Sequence, residues 1–298
     1  EWIMAINKTK YKCNYSFFKN RTILVTGGTG TFGSTCIERL LLFSKPKKII
    51  IFSRDEYKQY KLKEKLESLD KNNVLRFFIG DIRDYDRLNL AFKNVDYVIH
   101  AAALKQIISN EYNPFECIKT NVYGSENIVR AALNTSVKKV LALSTDKACS
   151  PANLYGASKL AADKIFLTAN FYASDRVTKF NIVRYGNVLG SRGSVVPYFK
   201  EIKDKGGSIP ITDKRMTRFW IKIEEAVDFV ISCLSYSSGG HIFVPKLPSI
   251  KIIDLASSIA PNAKIKYIGI RPGEKLHEIL VNKEETRFTF ELKDRFII

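Results

Sequence analysis

Short apolar segments alternate with amphipathic stretches along the first part of the chain. Each apolar segment is bounded by turn or polar residues, as is typical of buried strands. The predicted strands span residues 22–26, 48–52, 74–79, 95–100, 137–143 and 180–185. Helical periodicity predicts helices at residues 32–43, 84–92, 121–133, 157–171, 223–234 and 252–259. Strands that alternate with helices indicate an α/β protein with a Rossmann-like, doubly wound parallel sheet.

The regular alternation weakens after about residue 187. Glycines and prolines punctuate the remainder, at Gly190, Gly193, Pro197, Gly206, Gly207, Pro210, Gly239, Gly240, Pro245, Pro248, Pro261 and Pro272. Such residues are typical of turns and irregular structure. We therefore predict an N-terminal extension at 1–20, a Rossmann domain at 21–187, and a smaller, irregular C-terminal region at 188–298 that has room to return to the sheet.

The net charge of +18 is large for a chain of 298 residues. It suits either a nucleic-acid or acidic-membrane surface, or an acidic small substrate on a lysine-rich protein. Because the lysines are spread along the chain, we expect no nucleic-acid and no membrane partner. No apolar run reaches the roughly 20 residues that span a bilayer. The N-terminus lacks a signal-peptide pattern, and five scattered cysteines suit reduced thiols, so a cytoplasmic location without a metal site is expected.

The strongest motif is a glycine-rich turn that directly follows the first predicted strand. It reads TGGTGTFG over residues 26–33 and opens an amphipathic helix. Glycines permit a tight turn and a close approach of the backbone to a pyrophosphate, and the helix start attracts the anion. In this strand–turn–helix setting the motif predicts dinucleotide binding rather than a purely structural turn. The contacts assigned to it are Gly27, Gly30, Thr31, Phe32 and Gly33.

The type of dinucleotide is usually encoded at the end of the second strand, about 20 residues further on. There the sequence reads Ser53-Arg54-Asp55. An acid would bind the ribose 2′-hydroxyl of NAD, whereas an arginine would pair with the 2′-phosphate of NADP. Arg54 comes first and Ser53 adds a hydroxyl, so NADP is favoured, and Asp55 keeps NAD as the alternative. Asp81 follows the third strand, where it either accepts from the adenine amine or caps the next helix.

A tyrosine and a lysine four residues apart suggest the reaction centre. Tyr155 and Lys159 lie on one face of a helix. A nearby ammonium stabilises a phenolate and lowers the pKa of the tyrosine. Such a tyrosine accepts a proton from a substrate hydroxyl while hydride leaves the same carbon. Ser144 and Thr145 end the preceding strand and are placed to bind the same substrate oxygen.

Taken together, the glycine-rich turn, this strand end and the YxxxK motif resemble those of the extended short-chain dehydrogenase/reductases. Four further segments sharpen the likeness: AAALK at 101–105, STDKA at 144–148, RMTRFW at 215–220 and RPGEKLHE at 271–278. They resemble the inverting UDP-N-acetylglucosamine 4,6-dehydratases, the first enzymes of pseudaminic acid synthesis. The likeness extends from about residue 21 to the last residue. The Asp-Lys pair at 146–147 departs from the Asp-Glu pair of retaining nucleotide-glucose dehydratases.

The resemblance implies a lyase that removes water from UDP-N-acetylglucosamine through a 4-keto sugar. Tyr155, supported by Thr145 and Lys159, would take the C4 hydroxyl proton during oxidation by NADP. Lys147 would remove the C5 proton, and Asp146 would protonate the departing C6 hydroxyl. Hydride return to C6 and reprotonation of C5 from the opposite face would give UDP-2-acetamido-2,6-dideoxy-L-arabino-hex-4-ulose. A lysine base needs a lowered pKa, which we expect from neighbouring cations; otherwise the Asp-Lys pair is a solvated turn.

The resemblance also divides the chain by role, with NADP in 21–187 and substrate mainly in 188–298. For the cofactor it implies Ser53, Arg54, Asp55, Lys58, Asp81, Ile82, Ala101, Lys105, Asn121, Tyr155 and Lys159. For the UDP-sugar it implies Lys105, Asn187, Thr212, Arg218, Arg271 and Glu274. Taken one at a time, the substrate contacts, Lys105 and Asn121 suit a structural or surface role as well as a contact. A homo-oligomer is implied as well.

Two other classes of function remain open from the sequence. One is a nucleotide-sugar 4-epimerase or a retaining 4,6-dehydratase, against which Asp146 and Lys147 speak. The other is a non-catalytic NADP-binding regulator, against which the intact Tyr155 and Lys159 speak. The product mass separates dehydratase from epimerase because only the dehydratase product loses water, and NMR at C5 separates inversion from retention.

Overall fold

A mostly parallel sheet runs through the centre of the protein, which a computed structural model describes for residues 10–173, 177–191 and 194–298. Its strands are β1 (Thr22–Thr26), β2 (Lys48–Ser53), β3 (Leu75–Ile79), β4 (Tyr97–His100), β5 (Lys139–Thr145), β6 (Lys179–Tyr185), β10 (Ile242–Pro245), β13 (Phe290–Glu291) and β14 (Arg295–Ile297). Two small sheets use β7 (Asn187–Val188), β8 (Ile209–Ile211), β9 (Thr217–Ile221), β11 (Ser249–Lys251) and β12 (Ile265–Tyr267). The predicted strands up to β6 are confirmed, with bounds that move by at most two residues.

The strand order in the central sheet is β13-β14-β10-β6-β5-β4-β1-β2-β3. Neighbours from β10 to β3 pair in parallel, whereas β14 is antiparallel to both β10 and β13. The order in which the chain adds strands reverses here: β2 and β3 lie on one side of β1, whereas β4, β5 and β6 lie on the other. The predicted Rossmann-like, doubly wound sheet is therefore confirmed. In such sheets ligands bind outside the carboxyl ends of the strands at this reversal.

The helices cover both faces of the sheet. They are α1 (Thr31–Phe43), α2 (Glu56–Leu66), α3 (Tyr85–Ala91), α4 (Ile107–Tyr112), α5 (Pro114–Ile118), α6 (Gly124–Leu133), α7 (Leu154–Tyr172), α8 (Val195–Asp204), α9 (Ile223–Tyr236) and α10 (Ile252–Ile259). The helix predicted at 121–133 begins as α6 only at Gly124, because Lys119–Tyr123 form a π-helical turn. The helix predicted at 157–171 begins earlier, at Leu154, which places Tyr155 in its first turn.

Alternate residues of β1 show how this arrangement buries the sheet. Ile23 and Val25 contribute to a cluster that includes Ile37 of α1 and Val227 of α9, whereas Leu24 faces a second cluster that includes Phe166 of α7. Successive side chains of a strand point to opposite faces. A strand covered on both faces therefore reads as a continuous apolar run, which explains why these strands were predictable.

The chain returns to the central sheet after residue 187. Helix α9 packs against α1, and β10 pairs with β6. The rest of this part builds a third, smaller core around Phe199, Trp220 and Ile252. Within the described ranges, no helix is at once long and apolar enough to cross a membrane.

The described part of the predicted N-terminal extension, residues 10–20, is packed against the core rather than detached from it. Tyr11 and Phe18 are fully buried, and Tyr11 packs edge-on against Phe229 of α9. Arg39 of α1 donates two 2.8 Å hydrogen bonds to Asp228 of α9. This buried ion pair holds together the two helices that cover one face of the sheet.

Candidate functional site

A cleft of about 690 Å³ opens at the carboxyl ends of the central strands. Predicted site residues in its wall are Gly27, Gly30, Thr31, Phe32, Gly33, Ser53, Arg54, Asp55, Lys58, Asp81, Ile82, Ala101, Lys105, Thr145, Lys147, Tyr155, Lys159, Asn187, Arg218 and Glu274. Predicted residues outside the wall are Asn121, Asp146, Thr212 and Arg271. The parallel register brings the wall residues together, because Thr26 lies opposite both Phe52 and His100 and the strand ends are therefore level.

The glycine-rich turn forms one end of the cleft. Gly27 has φ +65°, and a Cβ there would lie 2.9 Å from the backbone nitrogen of Ala102. A Cβ on Gly33 would lie 2.5 Å from the carbonyl oxygen of Gly27, so any side chain would force α1 away from the turn. Gly30 is the N-cap of α1 and supplies no side chain to cap it. The turn therefore fits a pyrophosphate at a helix start.

The end of β2 carries the residues predicted to select the cofactor. Asp55 is the N-cap of α2: it accepts from the Lys58 backbone nitrogen at 3.0 Å and pairs with Lys58 Nζ at 2.9 Å. These contacts lower the pKa of the Asp55 carboxyl. Arg54 is more than half exposed, and its guanidinium lies 3.8 Å from Asp81. Asp55 therefore caps the start of α2, whereas the exposed Arg54 guanidinium lies in the cleft wall, where it can bind a ligand.

Asp81 also lies in the wall, but it does not cap the next helix as one alternative had it. Asp84 takes that role and accepts from the Arg87 backbone nitrogen at 2.9 Å. Asp81 instead accepts from the Arg83 side chain at 2.7 and 3.0 Å. The neighbouring Ile82 is buried.

Helix α7 places Tyr155 and Lys159 one turn apart, and both line the cleft. Asn153 caps the helix by accepting from the Gly156 backbone nitrogen at 2.8 Å. The prediction that Lys159 lowers the pKa of Tyr155 is wrong for the protein alone. Burial raises the pKa of the phenol. A hydrogen bond with the Thr145 hydroxyl has the opposite, smaller effect. Burial also lowers the pKa of Lys159.

A buried network of charged residues, which the sequence analysis missed, lies next to Lys159. It consists of Asp163, Arg184 and Glu285. Asp163, one turn after Lys159, partly offsets the effect of burial on the lysine pKa. Asp163 lies 3.8 Å from Arg184, which binds Glu285 through two 2.9 Å hydrogen bonds. An acid four residues after the lysine, on an otherwise apolar helix face, was the available signal.

Ser144 also contacts this network. Its hydroxyl lines the cleft and donates to Asp163 at 2.8 Å. Binding of one substrate oxygen by Ser144 and Thr145 stays a prediction. Thr145 keeps a position beside Tyr155.

The Asp-Lys pair follows β5 directly, in a short 3₁₀ turn. Thr145 donates to Asp146 Oδ1 at 3.0 Å, and Lys147 Nζ donates to the same oxygen at 2.9 Å. Asp146 is completely buried, and its Oδ2 has no hydrogen-bond partner among the described residues. The alternative of a solvated turn pair is wrong, since Lys147 is also largely buried.

Carboxylates, not the expected cations, surround the Lys147 ammonium. Besides the contact with Asp146, Nζ donates to Asn187 Oδ1 at 3.2 Å and lies 3.8 Å from Glu278 Oε1. The prediction of neighbouring cations is therefore wrong for the direct contacts of this lysine. Glu278 had been assigned no role from the sequence, although it ends the RPGEKLHE segment.

The C-terminal region contributes a buried cation to the cleft wall. Arg218 is 8% exposed, and its guanidinium donates to the carbonyl oxygens of Thr217, Lys275 and Leu276 at 2.7 to 3.2 Å. Within the described residues no carboxylate lies at salt-bridge distance from it. A buried guanidinium paired only with carbonyl groups favours an anionic ligand.

Four predicted contacts lie elsewhere. Asn121 is buried and fixes the loop after β4, accepting from the Leu104 backbone nitrogen and donating to its carbonyl oxygen, both at 2.9 Å. Thr212 and Arg271 do not line the cleft, and neither does Asp146, which bonds the cleft-lining Thr145 and Lys147. None of the described His, Cys, Asp and Glu residues form a cluster suited to a metal ion.

Comparisons with known proteins agree with this architecture. A family model described as polysaccharide biosynthesis protein matches residues 23–298. The UDP-N-acetylglucosamine 4,6-dehydratase (inverting) of Campylobacter jejuni subsp. jejuni serotype O:23/36 (strain 81-176) is 53% identical over 282 residues, which cover 94% of this chain and 83% of the relative. The UDP-glucose 4-epimerase of Rickettsia akari (strain Hartford) is 42% identical, covering 90% and 80%.

A solved structure is similar over almost the same span. The X-ray structure of Pen from Bacillus thuringiensis superposes with a TM-score of 0.91 at 42% identity, covering 95% of this chain and 89% of Pen. The match of the family model therefore agrees with both sequence and fold. The chain belongs to the polysaccharide biosynthesis protein family and is similar, within it, to inverting UDP-N-acetylglucosamine 4,6-dehydratases.

Proposed function

We propose that this protein is an NADP-dependent UDP-N-acetylglucosamine 4,6-dehydratase that inverts C5. The observation that carries the proposal is the placement of Tyr155 and of the bonded pair Asp146 and Lys147 beside one cleft, next to the glycine-rich turn. The similarity to relatives named as inverting dehydratases supports the same activity. Product formation would make the enzyme a lyase.

Support for NADP comes from the end of β2. Arg54 and Lys58 give this corner of the cleft a positive charge, and Ser53 adds a hydroxyl, which suits a 2′-phosphate. Asp55 is held by its contacts with Lys58, so it is poorly placed to accept from a ribose hydroxyl.

Replacing Arg54 by alanine should weaken NADP binding selectively. A solvent-exposed charge-assisted contact contributes on the order of 1 kcal/mol, so the Kd for NADP should rise about fivefold while that for NAD changes little. Titration calorimetry without substrate measures both values. Arg130→Ala, at an exposed arginine of α6, is the control. Equal weakening of NAD and NADP would remove Arg54 from 2′-phosphate recognition.

The first step requires a base at the C4 hydroxyl. Tyr155 takes this role, held at the cleft by the first turn of α7 and in contact with the Thr145 hydroxyl. Because burial keeps the phenol protonated in the protein alone, positive charge is needed to form the phenolate. An oxidised nicotinamide dinucleotide held by the glycine-rich turn and the end of β2 would supply such a charge and the hydride chemistry at C4 and C6.

The second step requires a base at C5 and an acid at the C6 hydroxyl. A ketone at C4 acidifies the C5 proton. One proton moving from Lys147 to Asp146 along their 2.9 Å contact converts both groups into the forms needed, an amine and a carboxylic acid. Lys147 lines the cleft and takes the C5 proton. Asp146 is buried, so its proton reaches the leaving hydroxyl through Thr145, which bonds Asp146 and lines the cleft.

The remaining cleft residues suit a nucleoside diphosphate sugar. The buried Arg218 guanidinium and the Lys105 ammonium offer positive charge to the diphosphate. Asn187 and Glu274 offer an amide and a carboxylate to sugar hydroxyl groups. We further propose that the product feeds pseudaminic acid synthesis, that the enzyme acts as a homo-oligomer, and that it works in the cytoplasm, where cysteine thiols stay reduced.

Incubation with UDP-N-acetylglucosamine and NADP tests the function directly. The expected product has lost one water, carries deuterium at C5 when formed in deuterium oxide, and has the L configuration at that carbon. Mass spectrometry and proton NMR measure these properties. A product of unchanged mass would indicate a 4-epimerase, the activity named for the relative from Rickettsia akari. Retention at C5 would indicate the other dehydratase class.

A further inference from the structure

A buried carboxylate without an assigned role lies in the wall of the cleft. Glu278 is 7% exposed as a residue, and its carboxylate lies between two ammonium groups. Its Oε1 is 3.8 Å from Lys147 Nζ, and its Oε2 is 3.3 Å from Lys275 Nζ. Oε2 has no hydrogen-bond partner among the described residues. Burying a charged group costs free energy, so the position of the Glu278 carboxylate at the cleft requires an explanation.

Lys275 explains how the carboxylate is kept in place. Its ammonium donates to the Cys149 carbonyl oxygen at 2.8 Å, just beyond the Asp-Lys turn. The segment around Glu278 is thereby tied to the loop that carries Lys147. Asn153, the N-cap of α7, adds a second tie by donating to the Gly273 carbonyl oxygen at 2.8 Å. Glu278 is therefore held at a fixed distance from the lysine.

The contacts of Lys147 show what a second carboxylate adds. An amine that attacks the C5 proton needs a free lone pair, and its remaining N–H groups need acceptors. During this step Asp146 carries the proton that is transferred to the leaving hydroxyl. Asn187 and Glu278 are then the groups left to hold the amine.

We propose that Glu278 is a positioning residue for Lys147, which orients the amine and stabilises the positive charge that develops on Nζ. This inference rests on the proposed dehydratase function. In the step, the C5–H bond breaks and its proton bonds to Nζ. The electron pair forms the C5–C6 double bond, and the C6 oxygen leaves as water with the proton from Asp146. Nζ changes from neutral to positive, so a fixed carboxylate nearby favours the transition state over the ground state.

Glu278→Gln is the most direct test, because it keeps the shape of the side chain and removes its charge. We expect incorporation of solvent deuterium at C5 and kcat for dehydration to fall by about tenfold to a hundredfold, with KM changed by less than about twofold. Single-turnover formation of the 4-keto sugar, trapped with borodeuteride, should stay near the wild-type rate. Glu278→Asp, which retains the charge, should recover part of the loss.

Glu284→Gln is the matched control, because Glu284 is an exposed residue of the same C-terminal segment and pairs with Arg287. It should leave both steps unchanged. If Glu278→Gln does not fold, as judged by thermal unfolding, Lys275→Met removes the anchor of the carboxylate and should slow the same step.

Two results with Glu278→Gln would overturn the inference. One is C5 exchange at the wild-type rate. The other is an equal loss of 4-keto sugar formation and C5 exchange, which a merely structural role would give. Failure of the proposed function is recognised separately. In that case the wild-type protein itself gives no dehydrated product and no C5 exchange.

Discussion

Replacing Lys147 by alanine should abolish exchange of the C5 proton with solvent deuterium while the 4-keto sugar still forms. Lys147 is the proposed base; it lines the cleft, and its Nζ donates to Asp146 and Asn187 at 2.9 and 3.2 Å. Loss of a positioned general base costs on the order of 10²- to 10⁴-fold. NMR of recovered nucleotide sugar in deuterium oxide measures the exchange, and borodeuteride trapping measures the ketone.

The control for this variant is Lys164→Ala, which removes an exposed lysine from α7. Lys147→Gln should behave like the alanine variant, because glutamine keeps a hydrogen-bond donor near Asp146 but cannot act as a base. Normal turnover of either Lys147 variant would exclude this lysine from the mechanism. Asp146→Asn should slow water loss, since the amide cannot donate the proton that the leaving hydroxyl requires.

Tyr155→Phe should block the reaction one step earlier. The phenol oxygen is the proposed base for the C4 hydroxyl, and the aromatic ring in the cleft wall is retained in the variant. Formation of the 4-keto sugar should fall by about 10²- to 10⁴-fold. C5 exchange should fall with it, because without the ketone the C5 proton is not acidic. The two variants together therefore establish the order of the steps.

Tyr172→Phe is the control, since this tyrosine of α7 is 70% exposed. It should retain wild-type rates for both steps. C5 exchange that persists in Tyr155→Phe without any ketone would contradict the sequence of oxidation before proton removal. Binding of NADP to the variant, measured by calorimetry, separates a chemical effect from loss of the cofactor.

The structure of the part that contains β1 to β6 could be predicted from the sequence because interactions between residues close in the chain determine it. Strands β1 to β6 are apolar runs bounded by turns, and the helices repeat their apolar positions at helical spacing. Gly27 needs a positive φ and Gly33 permits close packing of α1, which are constraints on single residues. The four-residue spacing of Tyr155 and Lys159 likewise follows from helix geometry.

Contacts with neighbours distant in the chain were not predictable. Asn121 was placed at the cofactor, but its amide bonds the backbone of Leu104. Ser144 was placed at the substrate, and the structure adds a hydrogen bond from its hydroxyl to Asp163. In both cases a polar side chain near the cleft satisfies a buried partner, because an unpaired buried polar group is costly.

By itself, the sequence determined the order of strands and helices, the glycine-rich turn and the Tyr155–Lys159 pair, because backbone geometry and burial periodicity act over a few residues. Only the tertiary structure decided the electrostatics of the reaction centre. Burial raises the pKa of Tyr155, and the carboxylate of Glu278 reaches Lys147 from a distant segment. Charge interactions depend on distance in space and on exclusion of water, and neither is encoded in the spacing of residues along a chain.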